Sequence, residues 1–413
     1  MRALRVVIGS VLMSGAMVAA SATSSSSAPP GAAASGATAS GATASAAGAL
    51  TQVTGFGTNP GNLAMYEYVP AGLPAGAPTV VALHGCTQSA SAYHQGSGWS
   101  QLADEYGFAV VYPQQSSGNN ANSCFNFFEA GDTTRGQGEA ASIAQMVTHA
   151  RSSHSLGSDN TFVTGLSAGG GMTAAMLATY PDLFAGGSVV AGLPFRCATS
   201  MVDAFGCMNN PPDRTPQQWG SLARDGHPGY SGPRPRVAVW HGTSDTTVVP
   251  ANARELVDQF TDVAGVSRTA TETTTLSGGT TRRAYGDEVV EYSVQGMGHG
   301  TPVDPGSGAE QCGQASAYFL DTICSARHDA AFFGISTPVD PGDPGDPGDP
   351  GDPDPEPGTC VTASNYDHTV AGRAYQSGGM TFATGSGDAL GLWNVFTTTE
   401  LEETAPGYWE LGC

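Results

Sequence analysis

A serine lies inside Gly165-Leu166-Ser167-Ala168-Gly169, directly after the apolar run Phe162-Val163 and ahead of a small-residue stretch that reaches Met176 and Leu177. That context reads as strand, tight turn and helix, an elbow that raises a hydroxyl above a sheet edge as a nucleophile. Glycines at both flanking positions let the backbone turn that closely without Cβ clashes. The short pattern alone carries little weight, because glycine fills 57 of 413 positions; its setting between strand and helix gives it meaning. Ser167 is therefore the candidate nucleophile, and its chemistry calls for a base and an acid.

Two downstream segments supply them. Val237-Ala238-Val239-Trp240-His241-Gly242-Thr243-Ser244-Asp245 reads as a buried strand that ends in a loop carboxylate, and Asp245 is the candidate acid. Val289 to Val294 reads as the last strand, leading through Gly296, Met297 and Gly298 to His299, the candidate base. The order Ser, Asp, His, with gaps of 78 and 54 residues, matches an α/β-hydrolase and leaves room for a strand and helix between partners. Asp304 is a rival acid with no strand before it. His241 is a rival base, but it sits four residues from Asp245 on the same strand end, where a supporting role fits better. Upstream, Thr79-Val80-Val81-Ala82-Leu83 runs into His84-Gly85-Cys86. Acyl transfer needs two preorganised N–H donors for the oxyanion, assigned here to the backbones of Ala168 and Cys86, with His84 shaping the turn.

The other histidines, His94, His149, His154, His227, His328 and His368, lack glycine-flanked strand-end settings and read as structural or solvated. No cluster has metal-ligand spacing and no glycine-rich loop ends in a phosphate-binding lysine; lysine is absent, since all 15 basic residues are arginine. No cofactor or metal is expected. The formal net charge of -21 argues against nucleic acid and anionic lipid as partners.

These groups need a scaffold. Strands are expected at Thr79–Leu83, Phe108–Tyr112, Phe162–Val163, Ser188–Ala191, Val237–Trp240 and Val289–Val294. Helices are expected at Ser100–Tyr106, Glu139–Ser153, Ala168–Thr179, Asn252–Val263 and near Gln314–Ile323. The alternation predicts an α/β domain over 50–333 with a mostly parallel sheet. An insertion from Pro194 to Tyr230 lies beside the nucleophile and is the expected source of a substrate wall, with Trp219 as the candidate substrate-binding residue and ordinary packing as the alternative reading of that indole. No long apolar lid helix is visible, so an open cleft is expected.

Residues 1–22 read as a signal peptide: a basic start, an apolar run from Val6 to Ala20 too short to span a membrane, and a small-residue cleavage site at Ala20-Ser21-Ala22. The Ala/Ser/Thr/Gly-rich 23–49 has nothing to bury and is expected to be disordered. The protein is thus expected to be secreted, with no membrane association after cleavage. Eight cysteines in such a protein predict disulfides. Cys86–Cys124, Cys197–Cys207, Cys312–Cys324 and Cys360–Cys413 are the candidate pairs. The tract 334–358 repeats Pro-Gly-Asp and reads as a solvated linker, and 359–413 as a small aromatic-rich, all-β module that binds substrate. A monomer is expected.

Several segments together resemble the extracellular poly(3-hydroxybutyrate) depolymerase family and its relatives, the feruloyl and acetylxylan esterases. They are Leu83-His84-Gly85-Cys86, Arg135-Gly136-Gln137-Gly138-Glu139, Gly165 to Met172, Ala178 to Gly187, and the Trp240-His241-Gly242 to Asp245 stretch. Ala371 to Tyr375 and Pro406-Gly407-Tyr408 look like a carboxy-terminal module found on such depolymerases. The resemblance implies a serine esterase acting on an insoluble polyester, poly(3-hydroxybutyrate) or a related short-chain polyhydroxyalkanoate. The alternative it leaves is an esterase acting on feruloyl or acetyl groups of a plant polysaccharide.

Overall fold

The computed structural model describes residues 48–336, 359–377, 379–394, 397–405 and 408–412. The expected signal peptide, 23–47 and 337–358 lie outside the described residues, as does Cys413 of the fourth candidate disulfide. In chain order the first part forms β1 (Thr51–Val53), β2 (Ala64–Tyr68), β3 (Thr79–Leu83), α1 (Ala90–Gly96), α2 (Trp99–Tyr106), β4 (Ala109–Gln114), α3 (Ala130–Thr133), α4 (Gly138–His154), β5 (Thr161–Leu166) and α5 (Ala168–Thr179). There follow β6 (Gly186–Val190), α6 (Met201–Asn209), α7 (Pro216–Arg224), β7 (Arg236–Gly242), α8 (Ala251–Ala264), β8 (Glu272–Thr275), β9 (Thr280–Tyr285), β10 (Val289–Val294), β11 (Thr301–Val303), β12 (Phe319–Asp321) and α9 (Ser325–Phe333).

Ten strands make one sheet in the order β1-β2-β4-β3-β5-β6-β7-β10-β9-β8. From β4 to β10 the neighbours are parallel, and the outer pairs on both sides are antiparallel. The central strands are buried on both faces, which is why they read as continuous apolar runs. Alternation sorts their side chains: Val81, Val163, Val237 and Val239 meet α4, α5 and α8 in one core, while Val80, Phe162, Ala238 and Trp240 meet α1, α2 and α9 in the other.

All six expected strands are present, while β1, β2, β8 and β9 at the sheet edges went unforeseen. They are short or polar, and β8 (Glu-Thr-Thr-Thr) is exposed throughout, so no apolar pattern marks it. The helix expected near Gln314–Ile323 is a correction. That segment contains β12, which pairs with β11, and the helix begins only at Ser325. The Cys312–Cys324 disulfide closes a tight loop there, Gly313 at φ 81° opens it, and Cys324 caps α9.

Among its described residues the last segment forms two three-stranded antiparallel sheets with one short helix, Asn365–Val370, so the all-β expectation is corrected by that element. Its core holds Ala374, Ala383, Leu390, Leu401 and Trp409, whereas Tyr366, Tyr375, Trp393 and Tyr408 are exposed.

Candidate active site

The parallel register sets the site. Leu83 pairs with Gly165, Leu166 with Val190, Val190 with Trp240, and Gly242 with Val294. The carboxyl ends of β3, β5, β7 and β10 therefore finish at one level, and the loops carrying Cys86, Ser167, Asp245 and His299 leave from the same edge, where open α/β sheets place ligands.

Ser167 joins β5 to α5 at φ 59°, ψ -115°, a conformation costly for a non-glycine residue and kept only where the surroundings enforce it. Its N–H donates to Val190 O at 2.9 Å. The flanking glycines serve close approach: a Cβ on Gly165 would lie 2.5 Å from Gly169 O, and one on Gly169 would lie 2.4 Å from Leu83 O and 2.6 Å from His84 O. The elbow thus packs backbone to backbone against the end of β3. The Ser167 hydroxyl makes no protein hydrogen bond among the described residues, and it lines the same cavity as His299, whose imidazole is the only basic or acidic side chain on that lining.

His299 Nδ1 donates to Asp245 Oδ2 at 2.7 Å. Asp245 is buried, and its Oδ1 accepts the N–H groups of Thr247 at 2.8 Å and Val248 at 2.9 Å. Burial pushes this carboxyl up, but hydrogen bonds from His241 and His299 outweigh it and hold the group well below the usual carboxylate range. The two loops are tied to each other: Ser244 N–H donates to Met297 O at 3.0 Å and Gly296 N–H to Thr243 Oγ1 at 2.8 Å. His241 is buried, and its Nε2 donates to Val248 O at 2.8 Å, which fixes the acid loop. Asp304 pairs with Cys312 through a backbone bridge and accepts from Gln311; the carboxylate on His299 is that of Asp245.

Cys86 and Ala168 both line the cavity. Ala168 opens α5, so its N–H has no acceptor one turn earlier. His84 is fully buried and its tautomer is fixed from both sides. Nδ1 donates to Gly85 O at 2.7 Å, and Nε2 accepts the Gln115 N–H at 3.1 Å. Burial lowers its pKa to about 4, against an opposing contribution from the Gly85 hydrogen bond, so the ring is neutral. Gly85 O belongs to the peptide whose other end is the Cys86 N–H, and holding one end orients the other. Thr87, at φ 63°, is an outlier for a β-branched residue; its N–H donates to Asn122 O at 2.7 Å, and Cys86 is bonded to Cys124.

Behind His84 stands a residue to which sequence reading gave no role. Glu139, inside the quoted Arg-Gly-Gln-Gly-Glu stretch, is buried; it accepts from the Gln115 side chain and, at 2.9 Å, from Asn126 N–H. Burial first, then the charge of Asp132, raises its pKa to about 8.

The cavity holds about 390 Å³. Its polar lining includes Gln88, Asn120 and Asn122, and its apolar lining Phe127, Phe128, Leu193 and, from α6, Met201, Ala204, Phe205 and Met208. The insertion does supply a wall, but not through Trp219, which is the second correction. Trp219 is 0% exposed, lies on α7, and donates from Nε1 to Glu255 Oε2 of α8 at 2.5 Å. A buried carboxylate needs a donor, and the indole provides it inside the core. The signal for the true wall was present in Met201, Phe205 and Met208, spaced to share one face of a helix.

Three candidate disulfides, Cys86–Cys124, Cys197–Cys207 and Cys312–Cys324, are formed. Among the described residues no group of three or more His, Cys, Asp or Glu side chains could hold a metal ion, and no helix is long and apolar enough to cross a membrane.

A mostly parallel sheet covered on both faces, with these loops at its carboxyl edge, is the α/β-hydrolase architecture. Residues 63–284, more than half of the chain, match the family model described as "Esterase PHB depolymerase", and the chain belongs to that family of carboxylic ester hydrolases. Poly(3-hydroxyalkanoate) depolymerase C of Paucimonas lemoignei is 57% identical over 293 residues, 70% of each chain. Acetylxylan esterase of Coprinopsis cinerea is 39% identical over 62% of this chain and 70% of its own. Among solved structures, the acetyl xylan esterase from Aspergillus awamori matches with TM-score 0.61 and 32% identity, covering 70% of this chain and all of that one.

Proposed function

We propose that this chain is a secreted serine esterase that hydrolyses poly(3-hydroxybutyrate) or a related short-chain polyhydroxyalkanoate. The observation that carries the chemistry is the 2.7 Å bond from His299 to Asp245 on the rim shared with the Ser167 elbow. Ser167 attacks the ester carbonyl, and His299 takes its proton and returns it to the departing alcohol. Asp245 holds the imidazole tautomer and stabilises its cationic form. The Cys86 and Ala168 N–H groups receive the oxyanion; losing one such donor costs roughly 3 kcal/mol of barrier. Water then attacks the acyl-enzyme by the reverse proton path. Export is supported by the leader-like start and by disulfides, which persist in oxidising compartments. The exposed rings Tyr366, Tyr375, Trp393 and Tyr408 support adsorption of the last segment to the polymer.

The identity to a polyhydroxyalkanoate depolymerase favours the polyester. The match to acetylxylan esterases keeps a polysaccharide ester as the second reading. Clearing of a poly(3-hydroxybutyrate) suspension, set against acetate or ferulate release from xylan, separates them. Ser167→Ala should abolish the favoured activity with the fold and adsorption intact; retained turnover would overturn the serine assignment.

A further inference from the structure

Within residues 48–336 the large apolar side chains that stand exposed are Met201 (49%), Val202 (80%), Phe205 (57%) and Tyr318 (41%). Three lie on α6, and Met201, Phe205 and Tyr318 line the mouth of the cavity that holds Ser167 and His299. Single apolar residues scattered over a surface need no explanation, but their concentration at one place does.

We infer that α6 together with Tyr318 is a docking face for the surface of a solid aliphatic polyester, carried by the catalytic domain itself; this rests on the polyester reading above. An insoluble chain cannot diffuse into a cavity. Ser167 is only 9% exposed, so whatever solid presents the scissile ester must press against the rim. That rim is built to be dry. No Asp, Glu or Arg lines the cavity, so the charge of -21 does not reach it. Asp203, the one charged residue of α6, accepts from the Thr199 hydroxyl at 3.0 Å.

The helix is also held rigidly, as a platform rather than a lid. Ser200 caps it through the Asp203 N–H, and Cys207 is bonded to Cys197. Asn252 Nδ2 donates to Cys207 O at 3.0 Å, and Val249 N–H to Met208 O at 2.8 Å. Ala204 and Cys207 are buried, whereas Met201 and Phe205 stand exposed beside the cavity and Val202, Asp203 and Gly206 stand exposed along the neighbouring groove that Arg196 and Arg214 also line. An unbranched thioether, an isopropyl group and two rings, of which only Tyr318 has a hydrogen-bonding edge, suit the methyl- and methylene-rich surface of a polyester. A polysaccharide would call for stacked rings with hydrogen-bonding edges.

Two measurements on the full chain test this. With Ser167→Ala adsorbed to amorphous poly(3-hydroxybutyrate) particles, hydroxyl-radical oxidation of Met201, Phe205 and Tyr318 should fall several-fold relative to the free protein. Unchanged oxidation, or protection on xylan instead, would overturn the docking face. Val202 is outside the cavity lining, so Val202→Asp should leave hydrolysis of soluble p-nitrophenyl butyrate intact while polymer clearing falls roughly tenfold, the scale of one valine's burial. Equal polymer clearing by variant and parent would refute the inference. Failure of the parent to hydrolyse the polymer would count against the substrate assignment alone, since protection of α6 on adsorbed protein is read without turnover.

Discussion

Replacing Asp245 by asparagine keeps size and shape and tests whether the carboxylate acts through its charge and its choice of imidazole tautomer. The outcome depends on which way the amide faces. Thr247 and Val248 both donate backbone N–H groups to Oδ1, so the asparagine carbonyl is drawn there and its NH2 is turned toward His299. Facing a donor, His299 Nδ1 must become an acceptor, and its proton moves to Nε2, where it cannot take a proton from Ser167. Flipping the amide to restore the tautomer gives up both backbone hydrogen bonds, about 2 kcal/mol at roughly 1 kcal/mol each. The lost attraction between carboxylate and imidazolium, at ~4 Å and an effective dielectric of about 20, adds about 4 kcal/mol. Together these correspond to a fall in kcat on the order of 10⁴. The assay is p-nitrophenyl butyrate hydrolysis, with KM expected to stay within about threefold because Asp245 does not line the cavity. A variant retaining kcat within about tenfold, with an unchanged urea midpoint, would show that Asp245 does not serve His299 as argued.

Gly169→Ala should lower kcat by roughly 10²–10³, as the loss of an oxyanion donor does, because the new Cβ would strike the Leu83 and His84 carbonyls; Gly206→Ala, with nothing within 4 Å, is the neutral control, and equal activity of the two variants would refute the close-approach argument. Trp219→Ala should destabilise the fold by about 3–5 kcal/mol without changing KM for a soluble ester, since the indole fills a core; a raised KM with unchanged stability would return Trp219 to the substrate site. Glu139→Ala removes the acceptors of the Gln115 side chain and the Asn126 N–H and should lower kcat more than it raises KM, through the peptide held by His84; unaltered kcat would uncouple Glu139 from the oxyanion loop. Burial raises the carboxyls of Asp329 to about 7 and Glu139 to about 8, so the unfolded chain releases these protons first and stability should fall as pH rises from about 4.5 through 8. Asp329→Asn keeps an acceptor for Trp240 Nε1 and should flatten part of that decline in urea titrations, whereas an undiminished slope would place the pH dependence elsewhere.

What the sequence revealed of this molecule follows from where each physical constraint is written. The triad candidates were legible because each follows a strand rich in buried apolar residues, even where Glu291 and Ser293 interrupt the last of them. Each also sits in a loop where glycine permits a close approach that any Cβ would block, as at Gly169. Those constraints are local, and a reading of neighbours along the chain can find them. The cavity wall was harder. Trp219 and Phe205 both lie in the insertion, both are large and aromatic, and neither sequence neighbourhood states which one faces solvent. That is decided by Glu255, 36 residues beyond Trp219, whose buried carboxylate takes the indole N–H and turns it inward. Distance in sequence likewise hides the support of the oxyanion loop, since Gln115 meets His84, and Glu139 meets Gln115, only once β3, β4 and α4 have packed. A residue's chemistry can be read where it stands, but its burial is a property of partners brought from elsewhere. The geometry of a strand end therefore announces a nucleophile more readily than any composition announces the surface on which its substrate will rest.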